Sequence, residues 1–229
     1  MPDSLKTITL HENFRALFYT PFYLSNALGA YRHEGLDLRF VETGEPGQAI
    51  LDVLEGRAEL AWGGPIRLLH HHNRDPACQM MGFCEVVTRD PFTLVGRASK
   101  PNFRFSNLRS IRLGSVSEVP TSWLCLQEDL RRAGLDPDAL TQISEQTMAQ
   151  NTADLRDGKL DVIQVFEPYV EILVAEGAGH IWHAAAARGP TSYTGFLTTR
   201  KVLQNEPETL LRVTRAMYRT QQWLHAHDD

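Results

Sequence analysis

Apolar and polar residues alternate from Thr7 to His11, which predicts a strand with one buried face. At Thr20 the spacing lengthens, with Pro21 in a first turn, and a helix is expected over Thr20–His33. Leu36–Val41 reads as a strand, Pro46–Glu55 as a helix, Ala58–Trp62 as a strand, and Pro65 opens another helix. The run Met80–Val87 is apolar and strand-like. In the second half, Ser110–Leu113 and Val162–Val165 read as strands, with helices over Pro120–Ala133, Thr147–Arg156 and Pro168–Ala175. Gly195–Thr199 is a last strand, followed by a helix from Pro207 to about His225 whose apolar stripe is Leu210, Val213, Met217 and Leu224. Strands alternating with helices imply mainly parallel sheets with helices on both faces.

The pattern repeats. Asp52-Val53-Leu54-Glu55-Gly56-Arg57-Ala58-Glu59 matches Asp154-Leu155-Arg156-Asp157-Gly158-Lys159-Leu160-Asp161 in having an Asp before a Gly, a base directly after it, and an acid beyond. Gly ends a helix in each copy, because it takes the left-handed position past a helix end at little cost. Upstream, Glu34-Gly35-Leu36-Asp37 is echoed by Ala133-Gly134-Leu135-Asp136. Two equivalent α/β lobes are therefore expected, residues 1–97 with 190–229 and residues 98–189. The crossings are placed near Gly96–Phe103 and Arg188–Tyr193.

Composition narrows the class. With 229 residues, 42% hydrophobic and 22% charged, the chain can bury a sizeable core. A net charge of -5 argues against a nucleic-acid partner. The apolar runs, such as Ala184–Ala187, are too short for a transmembrane segment. No secretory signal is visible after Met1, and Cys78, Cys84 and Cys125 are an odd, widely spaced set suited to reduced thiols. A cytoplasmic protein is expected, or a periplasmic one if a leader has been removed.

In open α/β sheets, ligands bind at the carboxyl ends of the strands, where helix N-termini also point. That rule selects Asn13 and Arg15 after the first strand, Gly44 after the second, and Trp62, Gly63 and Gly64 after the third. In the second lobe it selects Ser115, Ser117, Thr121 and Ser122, then Phe166, Glu167 and Tyr169. The glycines bare backbone N–H groups, the hydroxyls suit a carboxylate or sulfonate, and the rings offer flat apolar surface. Arg15 could pair with an anion, and Glu167 could accept from an amine. Each also has a plain structural reading, as turn, cap or core. The expectation is that Trp62 lies over the opening, with Ser117 and Thr121 receiving ligand oxygens.

Tyr31-Arg32-His33-Glu34-Gly35-Leu36-Asp37-Leu38, Gly56-Arg57-Ala58-Glu59-Leu60-Ala61, Val165-Phe166-Glu167-Pro168-Tyr169 and Thr199–Glu208 together resemble a known family. It is the aliphatic-sulfonate and thiamine-pyrimidine-precursor (NMT1/THI5-like) substrate-binding proteins of ABC transporters, of the type 2 periplasmic-binding-protein superfamily. The resemblance implies a two-lobed α/β fold that closes over a small organic ligand (sulfonate, carboxylate or pyrimidine-like) in the inter-lobe cleft, with an ABC permease as a partner. The alternative is an enzyme on the same fold: a decarboxylase, a desulfinase or an enzyme of pyrimidine synthesis. Against pyrimidine synthesis, the run Trp62–Leu68 holds neither Lys nor His. No cofactor is called for. His70-His71-His72 suggests a metal, but consecutive helical residues point about 100° apart and cannot easily face one ion. Cys84, beside Glu85 in an apolar run, reads as an inert thiol rather than a nucleophile.

Overall fold

A computed structural model describes residues 4–45 and 47–227. The chain divides into two compact units, Met1–Thr88 with Ser192–Asp229, and Arg89–Thr191.

In the first unit the order is β1 (Lys6–Glu12), α1 (Thr20–Ala27), α2 (Ala30–His33), β2 (Leu36–Glu42), α3 (Gln48–Leu54), β3 (Leu60–Gly63), α4 (Pro65–Arg74) and β4 (Met80–Val87). The second unit holds β5 (Thr93–Gly96), β6 (Arg112–Gly114), α5 (Pro120–Arg132), β7 (Thr141–Ile143), α6 (Met148–Arg156), β8 (Val162–Val165), α7 (Tyr169–Ala175) and β9 (His180–Ala184). The chain then returns to the first unit as β10 (Thr194–Thr199), α8 (Arg200–Asn205) and α9 (Pro207–His225).

Each unit is built on one sheet, in the orders β2-β1-β3-β10-β4 and β7-β6-β8-β5-β9. β1 pairs in parallel with β2 and β3, as β6 does with β7 and β8. Only β10 and β5 run against their neighbours, so both sheets are mainly parallel. The repeat seen in sequence has a structural basis. Gly56 and Gly158 take φ of +77° and +72°, and the following N–H groups of Arg57 and Lys159 return to the carbonyls of Asp52 and Asp154, each at 2.8 Å. The Arg57 and Lys159 side chains pair with those same aspartates. The later acids serve equivalent strands: Glu59 accepts from the Thr9 N–H of β1, and Asp161 from the Arg112 N–H of β6, both at 2.8 Å.

Strand alternation distributes the core of the first unit. Ile8, Leu10, Trp62 and Phe196 turn to one sheet face, packing with Phe22, Tyr31, Leu210, Val213 and Met217. Ala61 and Leu197 turn to the other, packing with Ala49, Ile50 and Val53. In the stripe expected for α9, Leu210, Val213 and Met217 are buried but Leu224 is half-buried.

Several elements differ from the sequence reading. The helix expected over Thr20–His33 breaks where Gly29 takes a φ of +70°. The helix expected from Pro46 begins at Gln48, and Pro46 itself lies outside the described residues. The strand expected at Ser110 starts at Arg112, since Ser110 is left-handed with φ of +60°. The first division falls at Thr88/Arg89 rather than near Gly96–Phe103, because Thr93–Gly96 is a strand held between β8 and β9. Within that strand Gly96 is required: a Cβ there would stand 2.0 Å from the Trp182 ring, whose N–H donates to the Ala98 carbonyl. Gly96→Ala is expected to cost about 1–3 kcal/mol by displacing Trp182. Indole fluorescence and a urea titration will read the displacement and the loss together.

The three cysteines are free thiols. No described helix is long and apolar enough to cross a membrane.

Candidate ligand site

At the carboxyl ends of β1 and β3, most of the sequence-selected residues turn out to support the backbone. Asn13 is buried, and its Oδ1 accepts from the N–H groups of Gly47 (3.0 Å) and Ala49 (3.3 Å). It thereby caps α3 from a distance and occupies that helix start itself. Arg15 is exposed, but its Nε donates to Glu12 at 3.1 Å and its guanidinium lies over the Tyr23 ring. Glu12 is fully buried and also accepts from the Tyr23 hydroxyl at 2.6 Å. Gly44 is exposed, with φ of +73° and open space around it.

Trp62 does not lie over an opening. It is 2% exposed, with its ring 4.0 Å from that of Tyr19 and edge-on to Phe14 at 5.2 Å. Alternation on β3 sends it to the sheet face shared with Ile8, Leu10 and Phe196, while Gly63 faces Leu197 and Ile50. Gly64 stands at the N-cap of α4 in extended conformation, followed by Pro65.

A group that sequence reasoning passed over stands here. Arg67, in the first turn of α4, is half-buried. A Cβ on Gly47 would lie 3.6 Å from its Nη1. Burial pulls its pKa below the usual guanidinium value, and the neighbouring Tyr19 and Tyr193 act the other way. Tyr19 lies beyond the end of β1, and Tyr193 directly precedes β10. A cavity of about 270 Å³ opens between the start of α4, β4 and β10, with a lining that includes Gly63, Pro65, Glu85, Ser192 and Gly195 but not Arg67. The sequence signal for Arg67 was its position, three residues past Gly64 and on the helix face nearest its own N-terminus.

In the second unit, β6 and β8 are neighbours, so their carboxyl ends share one edge. Ser115 is buried, with its hydroxyl accepting from Gln142 at 2.7 Å and its N–H donating to Ile143. The buried Ser122 donates to the Val119 carbonyl, and the buried Phe166 packs edge-on to Phe92. Ser117 is exposed just before α5, whereas Thr121 is 8% exposed in its first turn. Glu167 is exposed and accepts from the Glu171 N–H at 3.0 Å, as a cap of α7, and Tyr169 is half-buried.

Among the described residues, no group of three His, Cys, Asp or Glu could hold a metal ion. Burial pushes the Cys84 thiol up to about 11, so it is protonated at neutral pH and a poor nucleophile.

Residues 84–229 match the sequence model of the NMT1-like family. YtlA of Bacillus subtilis (strain 168), named as a binding protein, is 22% identical over 232 residues, covering 98% of this chain and 68% of YtlA. Among solved structures, the periplasmic aliphatic sulphonate binding protein SsuA of Escherichia coli aligns with a TM-score of 0.77 at 14% identity, over 98% of this chain and 71% of that one. The alkanesulfonate-binding protein SsuA of Xanthomonas axonopodis pv. citri, bound to MOPS, aligns with a TM-score of 0.75 at 15% identity, over 98% and 76%. The fold is thus the type 2 periplasmic-binding-protein fold.

Proposed function

We infer that this chain, which belongs to the NMT1-like family, is a solute-binding protein that takes a small organic anion at the carboxyl ends of the first unit's strands. The observation that carries the reading is Arg67, a half-buried cation in the first turn of α4, with Tyr19 and Tyr193 as electrostatic neighbours and a glycine at the helix N-cap. Helix N–H groups and a guanidinium both favour anionic oxygens, and partial burial strengthens the guanidinium's pull. A sulfonate is the first candidate, supported by the sulfonate-binding proteins of like fold, and a carboxylate the second. Delivery to an ABC-type permease is part of the same proposal, and it is supported by the family resemblance alone.

Isothermal titration with butanesulfonate, MOPS and benzoate tests the reading. At least one should bind, and Arg67→Gln should weaken it by about 1.5–3 kcal/mol, or roughly ten- to a hundredfold. Equal affinity in a folded Arg67→Gln protein, or no binding of any of the three, would overturn it.

A further inference from the structure

The second unit concentrates positive charge at the opposite edge of its sheet from Ser115 and Phe166. β6 and β8 run in parallel, so their amino ends share that edge. β5 runs against β8 and ends there, with Gly96 opposite Val162, and the chain that follows it forms one wall of a pocket of about 200 Å³. The lining includes Arg97, Ser99, Lys100, Ile111, Asp161 and Trp182.

The charges in this pocket do not cancel. Asp161 spends both carboxylate oxygens on Arg112: Oδ1 accepts from Nη2 at 2.8 Å, and Oδ2 from Nε at 3.0 Å and from the backbone N–H at 2.8 Å. Among the described residues, the side chains of Arg97 and Lys100 have no hydrogen-bond or ion-pair partner. Arg97 lies along the turn that ends α6, where a Cβ on Gly158 would stand 3.4 Å from its Nη1. The Lys100 ammonium is folded over the Trp182 ring, 5.1 Å from its centroid. That ring is itself held, by its N–H bond to the Ala98 carbonyl at 2.7 Å and by Phe103 stacked at 5.6 Å. Lys100 is therefore half-buried without an acceptor, and lysine is seldom withdrawn from water unpaired. Two cations in one small pocket also repel each other, and an anion received there removes both costs.

We propose that this pocket binds a doubly charged tetrahedral oxyanion, inorganic phosphate or a phosphate monoester, with Arg97 and Lys100 as its two cationic contacts. The guanidinium fork can donate to two oxygens at once and the ammonium to a third. Two positive charges favour a dianion over a carboxylate. The site belongs wholly to the second unit and is independent of the anion reading at Arg67.

Isothermal titration of the full chain at low salt, with inorganic phosphate, phenyl phosphate and acetate, tests the proposal. At about pH 8, where both phosphates are dianions, at least one should bind with a Kd below about 1 mM, and acetate should bind about tenfold more weakly. Binding should weaken as pH falls through about 6 and the second phosphate proton returns. Arg97→Gln and Lys100→Gln should each weaken it about tenfold, with thermal melts showing that the variants fold. Arg97→Lys, which keeps the charge without the fork, should lose less than Arg97→Gln. Equal affinity for the two phosphates would mark a site for the free ion, and tighter phenyl phosphate a site for an ester; either supports the proposal. Phosphate binding should also persist in Arg67→Gln, and its loss there would move the anion to the first unit and overturn the proposal. No binding of either phosphate, acetate bound as tightly, or full affinity in a folded Arg97→Gln protein would overturn it as well.

Discussion

Trp62→Ala is expected to destabilise the first unit by about 3–5 kcal/mol, the range for removing a large ring from a core. The indole is 2% exposed, and Phe14 and Tyr19 both lean on it, so alanine would leave a cavity that neither ring can fill without giving up its other contacts. Trp62→Phe keeps most of the ring and should cost less than half as much. Urea unfolding followed by circular dichroism will separate the variants. An unchanged midpoint for Trp62→Ala would mean the ring is not a core element. Because Tyr19 also neighbours Arg67, ligand affinity should be measured on the phenylalanine variant, where the support beneath Tyr19 is largely retained.

The other large effect is expected at Arg188. Its guanidinium bridges Asp90 (3.1 Å) and Asp129 (2.5 Å), and the Asp90 side chain is only 1% exposed. Removing one partner of a buried ion pair typically costs about 3–5 kcal/mol, since the remaining charge keeps its desolvation cost. Arg188→Met should therefore destabilise the second unit by an amount in that range at pH 7. Burial already holds the Asp90 carboxyl above the usual range, and Arg188 pulls it back down. Without Arg188 it should rise further. A carboxyl whose folded pKa exceeds its unfolded value costs stability as pH rises through the folded pKa, and nothing below the unfolded pKa. The Arg188→Met deficit should thus grow as pH rises from the native Asp90 pKa to the higher pKa of the variant, and be smallest in acid. Asp90→Asn combined with Arg188→Met should recover part of it, and a deficit independent of pH would assign the cost to packing instead.

The fold could be read from sequence because its signals are local and repeated. Gly56 and Gly158 mark equivalent helix ends, and the base after each returns to the aspartate before it. β5 escaped notice because Thr93–Gly96 is short and its place between β8 and β9 depends on residues far along the chain. The site was only partly visible, for a related reason. Position at a strand end can be read from sequence, but the direction a side chain takes cannot. Asn13 and Ser115 stand at strand ends yet spend their polar atoms on the backbone and on Gln142. Arg67 lies off the strand ends, in the first turn of α4, and Glu85 reaches the cavity from an irregular stretch of β4. β3 is buried on both faces, so Trp62 falls in the core whichever way alternation turns it.

The strand order also bears on synthesis. β10 lies inside the first sheet, between β3 and β4, but it is encoded after the whole of the second unit. As the chain leaves the ribosome, β1 to β4 emerge without the strand that joins β4 to the rest, and they must wait while Arg89–Thr191 is made. That inserted stretch contains every strand of its own sheet and can complete itself first. The topology therefore lets the second unit complete its sheet before the first, against the usual amino-to-carboxyl order. Until Thr194–Thr199 arrives, the edges of β3 and β4 stay open, and the exposed β4 run Met80–Val87 is then the segment most in need of protection from aggregation.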